Sequence, residues 1–281
     1  MRNPKTKAFI DLLYRTHVAE WEATPSIQAA IAWLTDLLEF MFPNNNLNKQ
    51  SIYEGILNKN QIDLENILLT YMDPSNTDIE IRVAAFYDSL ELIYESLRKD
   101  ATNIYDHDPA ATSVYEVIAS YPGFYAIAVY RISNRLSQLA IPILPRILSE
   151  HAHGKTGIDI HPNAVIGVPF FIDHGTGIVI GATSVIGDHV SIYQGVTLGA
   201  LQVSKTLADE KRHPTVEDNV IIYARTTILG GDTVIGKNSI IGGSVFLTKS
   251  VGANSNVFNT HKLRIEIREE RDKPLPIVDK Q

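Results

Sequence analysis

The sequence predicts an α+β protein in which an all-α helical domain over residues 1–153 precedes a parallel β-helix of hexapeptide repeats over 154–251. In the first half, apolar residues recur at the spacing of amphipathic helices, whereas in the second half aliphatic residues recur every six positions. Glycine use changes at the same boundary, because Gly55 and Gly123 are the only glycines before Gly154 in a chain that has 17. Two structural parts are therefore expected.

Three segments of the first half have helical periodicity. The segment 25–42 contains Ser26, a residue suited to capping a helix N-terminus, and its apolar stripe comprises Ile27, Ala30, Ile31, Leu34, Leu37, Leu38 and Met41. The segment 81–99 predicts one continuous amphipathic helix, with a stripe of Val83, Phe86, Leu90, Ile93 and Leu97. A third helix is predicted within 121–139, opened by a Pro-Gly turn.

The second half carries a six-residue repeat that is neither helical nor strand-like in spacing. It places aliphatic side chains at thirteen positions: Ile160, Ile166, Ile172, Ile180, Ile186, Ile192, Leu198, Val216, Ile222, Ile228, Ile235, Ile241 and Leu247. Such a period is typical of a β-helix whose short strands stack coil on coil around an aliphatic core. About four coils are expected over 160–251. The segment 200–214 interrupts the repeat and is predicted to be an extruded loop.

Composition excludes several classes of protein. The net charge of −7 argues against binding to a nucleic-acid backbone, and the absence of cysteine excludes disulfides and thiolate metal sites. The first residues lack the uncharged apolar core of a signal peptide, and no apolar run is long enough to span a membrane. A cytoplasmic protein that binds neither membrane nor nucleic acid is the expectation.

Four short motifs, in this order, resemble those of the serine acetyltransferases. They are "DHDPA" at 106–110, "DIHP" at 159–162, "IDHGTGIVIG" at 172–181 and "RHP" at 212–214. The resemblance covers roughly residues 100–250 and implies that the β-helix winds left-handed. It also implies acetyl transfer from acetyl-CoA, as co-substrate, to the hydroxyl of L-serine, which gives O-acetylserine for cysteine biosynthesis.

The pair Asp173-His174 lies among aliphatic residues and glycines, so that a structural and a catalytic interpretation are both open. A serine hydroxyl needs a general base, and histidine suits that task because its ordinary pKa is close to neutrality. The resemblance implies that His174 is the base and that Asp159 orients its ring. The alternative is a buried histidine bonded to a backbone carbonyl.

The resemblance also assigns the groups that hold the amino acid. Asp108 and Asp173 are candidates for its ammonium group, and Arg212 for its carboxylate, to which an arginine offers two parallel hydrogen bonds. His213 is a further substrate contact. Alternatively, Asp108 simply ends a helix before Pro109, and Arg212 is a solvated loop charge.

The pantetheine arm of acetyl-CoA is expected to run along the coil edge near Gly199, Ala200 and Ala224, where small residues permit close approach to the backbone. The alternative is that the corners of the coil require small residues in any case. No metal is expected. A zinc lyase on the same scaffold would need three converging histidines, and the coil has no histidine pair at the spacing that would start such a site.

Several features depart from the family pattern. A glutamate usually follows the glycine of "GIVIG", where this chain has Ala182, and the usual double glycine after "VTL" is Gly199-Ala200. The tail over 252–281 ends in Gln281 rather than in isoleucine. A complex with a sulfhydrylase through this C-terminus is therefore doubtful. An acetyltransferase for another hydroxyl acceptor, such as a sugar, and a non-catalytic relative remain as alternatives.

Assembly into a homotrimer is expected from apolar residues that lie off the interior register of the coil, namely Phe170, Phe171, Val179, Tyr193 and Val196. The resemblance implies that the active sites lie between subunits, with His174 and His213 drawn from different chains. It further implies that helical domains join two trimers into a hexamer.

Overall fold

A computed structural model describes residues 3–20, 23–44, 49–75, 78–201 and 210–260, with the side chains of residues 19 and 20 left undescribed. In this part of the chain, eight helices precede the strands. The helices are α1 to α8, in chain order Pro4–Glu20, Ile27–Met41, Gln50–Leu69, Ile79–Tyr87, Leu90–His107, Val114–Ser120, Pro122–Gln138 and Leu144–Thr156. None of the described helices is long and apolar enough to cross a membrane.

The predicted helices form, with two corrections. Ser26 caps α2 as predicted, since its hydroxyl accepts a hydrogen bond of 3.3 Å from the amide of Ala29. The segment 81–99 is not one helix, because α4 ends at Tyr87 and α5 begins at Leu90; the hydroxyl of Ser89 donates to the carbonyl of Phe86 at this break. Its predicted stripe is nevertheless buried throughout.

The Pro-Gly pair at 122–123 is inside a helix rather than in a turn. Pro122 is the first residue of α7, where a missing amide hydrogen costs nothing. Gly123 packs against the first coil, since a Cβ at this position would lie 2.6 Å from the carbonyl oxygen of Ile172. The glycine is therefore needed for the close approach of helix and strand.

The second half is a parallel β-helix of fourteen short strands in the described residues. These strands are β1 to β14, in chain order Asp159–Ile160, Val165–Ile166, Phe170–Asp173, Val179–Ile180, Val185–Ile186, Val190–Tyr193, Thr197–Gly199, Thr215–Val216, Ile221–Ile222, Thr227–Leu229, Val234–Ile235, Ile240–Ile241, Phe246–Leu247 and Asn256–Val257. They form three parallel sheets with orders β1-β4-β7-β10-β13 (sheet A), β2-β5-β8-β11 (sheet B) and β3-β6-β9-β12-β14 (sheet C).

The predicted repeat is the core of this coil. Within sheet A, Ile160 pairs with Ile180, Ile180 with Leu198, and Leu198 with Ile228. The aliphatic residues of sheets B and C stack in the same way. Twelve of the thirteen repeat positions are buried, and Leu247 is half-buried in the last coil.

The boundaries of these elements differ from those expected. The last helix continues to Thr156, beyond the expected boundary at 153, and the last strand ends at Val257, beyond 251. The coil therefore makes about five turns rather than about four. In the interrupting loop, residues 202–209 lie outside the described residues.

The helical part packs directly on the first coil. Helices α5 and α7 contact strand β3, and this contact buries Phe170 and Phe171 within the chain. Val196 is buried as well. The expectation that these three residues pack against a partner subunit is therefore wrong, because each is already buried within its own chain. Of the five residues from which a trimer was expected, Val179 is exposed and Tyr193 is half-buried.

A buried ion pair fixes this junction. The guanidinium of Arg131 in α7 donates to both carboxylate oxygens of Asp100 in α5, at 2.6 and 2.8 Å, and it also donates to the carbonyl of Gly167 at 3.0 Å. The amide of Phe170 donates to Asp100 at 2.9 Å. Burial raises the pKa of Asp100, and the hydrogen bonds from Arg131 and Phe170 oppose that rise.

Candidate active site

The histidine of the Asp-His pair lies at the corner where sheet C leads into sheet A, called the C–A corner below. His174 directly follows β3, and its backbone is left-handed, with φ of 57°. Its side chain is 74% exposed, and Nε2 lies 3.8 Å from Oδ1 of Asp173. This exposure does not fit the interpretation of a buried structural histidine. The same left-handed backbone recurs at other turns of the coil, for example at His189 and Asn219, so this conformation belongs to the coil and not to His174 alone.

Asp108 brings the helical part to the same corner. It follows the last residue of α5, and its carboxylate accepts hydrogen bonds of 2.7 Å from the hydroxyl of Tyr121 and 2.8 Å from the amide of Ala110. These two bonds, with a smaller contribution from His174, lower the pKa of Asp108. The carboxylate thus lies at the end of a helix and also interacts electrostatically with His174, so that the structural and functional interpretations are compatible.

Tyrosine side chains that the sequence motifs did not single out lie around the carboxylates of Asp108 and Asp173. The pKa of Tyr121 is raised to about 12, chiefly by its hydrogen bond to Asp108 and in part by the charge of Asp173. Tyr193 stands opposite Asp173 in the neighbouring coil and stacks on Tyr223 at 4.9 Å between ring centroids. The C–A corner therefore combines one exposed imidazole, two carboxylates and tyrosine side chains.

Asp159 begins β1, where it pairs with Val179 of β4. Its amide donates to the carbonyl of Ile178, at 2.9 Å. Among the described residues, its carboxylate has neither a hydrogen bond nor an ion pair with His174. The orienting role of Asp159 stays a prediction.

The "RHP" motif lies at the other end of sheet A, at the corner where this sheet leads into sheet B, called the A–B corner below. His213 is 8% exposed, and its ring occupies the space above Gly181, where a Cβ would lie 2.0 Å from the ring. Glycine is thus required at position 181. Lys211 donates to the carbonyl of Thr183 at 2.6 Å, which holds the loop against the coil.

Thr183, which the motifs did not reveal, fixes the tautomer of His213. The amide of Thr183 donates to Nδ1 of His213 at 3.1 Å, and its hydroxyl lies 2.9 Å from the same nitrogen. That hydroxyl accepts from the amides of Arg212 and His213 at 2.9 and 3.0 Å, so its own hydrogen is directed to the ring. Burial, followed by the charges of Arg212 and Lys211, lowers the pKa of His213 to about 4. The ring is therefore neutral near pH 7, with its hydrogen on Nε2.

The residues expected to contact acetyl-CoA are divided between the same two corners. Gly199 ends β7, and Ala200 follows it toward the A–B corner. Ala224 lies at the C–A corner, before the left-handed Arg225 with φ of 62°. Within one chain the structure does not bring these three residues together. It also keeps His174 and His213 apart. His174 lies at the C–A corner, where the strands of sheet A begin, and His213 lies at the A–B corner, where they end.

The described residues contain no group of three or more His, Asp or Glu side chains that could hold a metal ion. The expectation that the protein uses no metal remains a prediction.

The chain is similar to serine acetyltransferases in sequence, although no protein-family model matches it. It is 51% identical over 176 residues to the plasmid serine acetyltransferase of Synechococcus elongatus, and this match covers 61% of the chain and 55% of the relative. The chain thus spans about half the length of this relative. It is 40% identical to the serine acetyltransferase of Bacillus subtilis over 197 residues, 67% of the chain and 88% of the relative.

Solved structures of serine acetyltransferases also resemble this chain. Serine acetyltransferase isoform 3 of Entamoeba histolytica, in complex with cysteine, superposes with a TM-score of 0.76 at 30% identity, over 92% of this chain and 94% of that one. A serine acetyltransferase in complex with CoA superposes with a TM-score of 0.55 at 27% identity, over 82% of this chain and 94% of that one. The chain therefore belongs to the serine acetyltransferases, the acyltransferases that transfer an acetyl group from acetyl-CoA to L-serine.

Proposed function

We propose that His174 is the general base of this acetyl transfer and that the two corners of sheet A together bind L-serine. The observation that supports this most directly is the position of His174, exposed beside the carboxylates of Asp108 and Asp173. Two carboxylates suit the ammonium group of the substrate. The cationic Arg212 and the neutral His213 suit its carboxylate.

The proposed step needs only groups that the chain and its two substrates supply. The imidazole of His174 accepts the proton of the serine hydroxyl while the hydroxyl oxygen attacks the thioester carbon of acetyl-CoA. A carbon–oxygen bond forms, the carbon–sulfur bond breaks, and the imidazolium returns its proton to the departing thiolate. The products are O-acetylserine and free coenzyme A. The carboxylate of Asp159 is proposed to orient the ring of His174.

A site that combines both corners needs a second subunit, and a trimer is the proposed assembly. In one chain, the C–A corner holds the base and the carboxylates, while the A–B corner holds Arg212 and His213. A three-fold axis along the coil would bring the C–A corner of one subunit against the A–B corner of the next. The exposed valines of sheets A and B, namely Val165, Val179 and Val185, offer apolar surface for such a contact.

This arrangement also unites the proposed cofactor contacts. Gly199 and Ala200 of one subunit would face Ala224 of its neighbour, which forms a groove of small residues for the pantetheine arm. A hexamer through the helical domains and a cytoplasmic location are further parts of the proposal. A complex with a sulfhydrylase is considered doubtful because the tail ends in Gln281. This residue lies outside the described residues.

Thiol release from acetyl-CoA tests the proposal. The purified full-length chain is supplied with L-serine, with other amino acids that carry a hydroxyl, and with sugars. We expect free thiol at the highest kcat/KM with L-serine. A sugar as the best acceptor would contradict the proposed acceptor, and the absence of thiol release with every hydroxyl compound would identify a non-catalytic relative.

A further inference from the structure

His161, from the "DIHP" motif, has no role in the function proposed above. It directly follows β1, and its amide donates to the carbonyl of Ile180 at 3.0 Å, so that it lies beside Gly181. Its Nδ1 accepts a hydrogen bond of 3.0 Å from the amide of Asn163. Because a backbone amide can only donate, Nδ1 carries no hydrogen, and the hydrogen of the neutral ring is on Nε2. Among the described residues, this Nε2 has no hydrogen-bond partner.

His161 and His213 therefore show the same arrangement at the same corner. Each Nδ1 accepts from a backbone amide, that of Asn163 in one ring and that of Thr183 in the other. The backbone of His161 pairs beside Gly181, the ring of His213 covers Gly181, and His213 acts electrostatically on His161. Two neutral imidazoles thus present Nε2–H groups at the A–B corner, beside Arg212.

The charges around His161 keep its ring neutral. Burial, followed by the charges of Arg146 and Arg212, lowers its pKa to about 4, and Glu150 opposes this only weakly. Glu150 is in turn bonded to Arg146. A neutral ring remains a hydrogen-bond donor across the pH range in which the enzyme would work.

The neighbouring residue leaves this corner open to an anion. Ala182 occupies the position after Gly181, so that this position contributes no carboxylate that would compete for the donors. Arg212 and the two Nε2–H groups together match the lone pairs of one carboxylate, which has about four acceptor sites.

We propose that His161 donates from Nε2 to the carboxylate of the amino-acid substrate and thereby selects amino acids over simple alcohols and sugars. The inference rests on the proposed function, because it adds a third donor to the carboxylate subsite of Arg212 and His213. An acceptor without a carboxylate would leave the Nε2–H groups of His161 and His213 without that partner, and sites built to pair with a charged group reject such acceptors strongly. His161 is thus a specificity-determining residue.

Two substitutions separate this role from a structural one. His161→Asn keeps an acceptor near the place of Nδ1 for the amide of Asn163, but it has no donor at the place of Nε2. His161→Gln positions an amide donor near the place of Nε2 and weakens the acceptor. A structural role would be rescued by asparagine, whereas a substrate role would be rescued by glutamine. His189→Asn, a surface substitution at a different corner, is the matched control.

Thiol release is measured with L-serine and with ethanolamine, which keeps the ammonium and hydroxyl groups but lacks the carboxylate. If ethanolamine turns over too slowly, its inhibition constant against L-serine is measured instead. In His161→Asn we expect KM for L-serine to rise about 10-fold or more, with kcat changed little and with ethanolamine unaffected. His161→Gln should recover most of the loss, and His189→Asn should behave as the wild type.

Equal losses for both acceptors in His161→Asn, or a KM for L-serine within twofold of the wild type, would overturn the inference. So would a His161→Gln variant as impaired as His161→Asn. Inactivity of the wild-type chain toward L-serine would defeat the proposed function and this inference together. Thiol release by the wild-type chain is therefore measured first, which distinguishes failure of the proposed function from failure of this inference.

Discussion

The hydroxyl of Tyr121 donates a hydrogen bond of 2.7 Å to the carboxylate of Asp108. This bond joins the residue before α7 to the residue after α5, so two helices of the N-terminal part set the position of a carboxylate at the edge of the coil. The helical part therefore contributes to the candidate active site, as well as packing against the coil.

Tyr121→Phe should weaken serine binding while leaving the fold intact. Without the hydroxyl, Asp108 retains the amide of Ala110 but loses its strongest hydrogen bond, so its lowered pKa should move up toward the ordinary range. The carboxylate would still be ionised at pH 7, so the loss comes from its positioning. We expect KM for L-serine to rise by about 10-fold or more, because a hydrogen bond to a charged group contributes about 1.5–3 kcal/mol. Tyr115→Phe, at a residue 83% exposed, is the control. An unchanged KM would show that Tyr121 does not position Asp108.

His174→Ala should remove most of the acetyl transfer. Loss of a general base typically costs about 10²- to 10⁴-fold in rate. His189 offers a matched control, because its backbone has the same left-handed φ of 57° at a different corner of the coil. His189→Ala should therefore report any cost of placing alanine in this conformation, with near-normal kcat. Near-normal kcat in His174→Ala as well would reject His174 as the base.

Ala182→Glu tests the departure from the family pattern. The residue precedes Thr183, whose amide and hydroxyl contact His213, so a new carboxylate would lie close to the candidate subsite for the carboxylate of serine. If the absence of the usual glutamate affects only the positioning of the substrate, Ala182→Glu should change KM or kcat modestly. Ala182→Ser provides a control of similar size without charge. An inactive wild type that gains activity in Ala182→Glu would instead show that this chain is a degenerate relative.

The sequence alone predicted the coil well, because its core is set by a strictly local repeat. Each aliphatic residue of the thirteen lies on a strand, and the pairing of Ile160 with Ile180 and of Ile180 with Leu198 follows directly from their spacing. The break between α4 and α5 was not predicted, since the apolar stripe continues through Asp88 and Ser89 without interruption. The helical role of Pro122 was also missed, because Pro-Gly occurs in turns as well as at helix starts.

The site was predictable only where a motif contained it. His174, Asp173 and Asp108 came from motifs, and the structure brings these three to one corner. Thr183 and Tyr121 were missed, since their partners are thirty and thirteen residues away in sequence and neither residue type signals such contacts.

Asp100→Asn should destabilise the chain strongly. Asp100 is fully buried and Arg131 is nearly so, and removing one partner of such a pair leaves a buried charge uncompensated. A cost of about 3–5 kcal/mol in the free energy of unfolding is typical. Asp36→Asn removes an exposed partner of Lys59 and should change the stability little, because exposed ion pairs are solvated and contribute little. Urea midpoints of the two variants measure the difference. Equal midpoints would show that the buried pair does not hold the helices to the coil.

Mixing two inactive variants tests whether the active site is shared between subunits. His174 and His213 lie at opposite ends of sheet A, so the trimer would unite them only across an interface. His174→Ala and His213→Ala are each expected to be impaired, the first through loss of the base and the second through loss of a substrate contact. When subunits exchange, some interfaces of mixed trimers combine an intact His174 with an intact His213, and thiol release should return in part. Light scattering of the wild type should report a trimer or a hexamer, and differently labelled subunits confirm that exchange has taken place. If activity stays absent although exchange is complete, both histidines act within one chain and the shared-site arrangement is wrong.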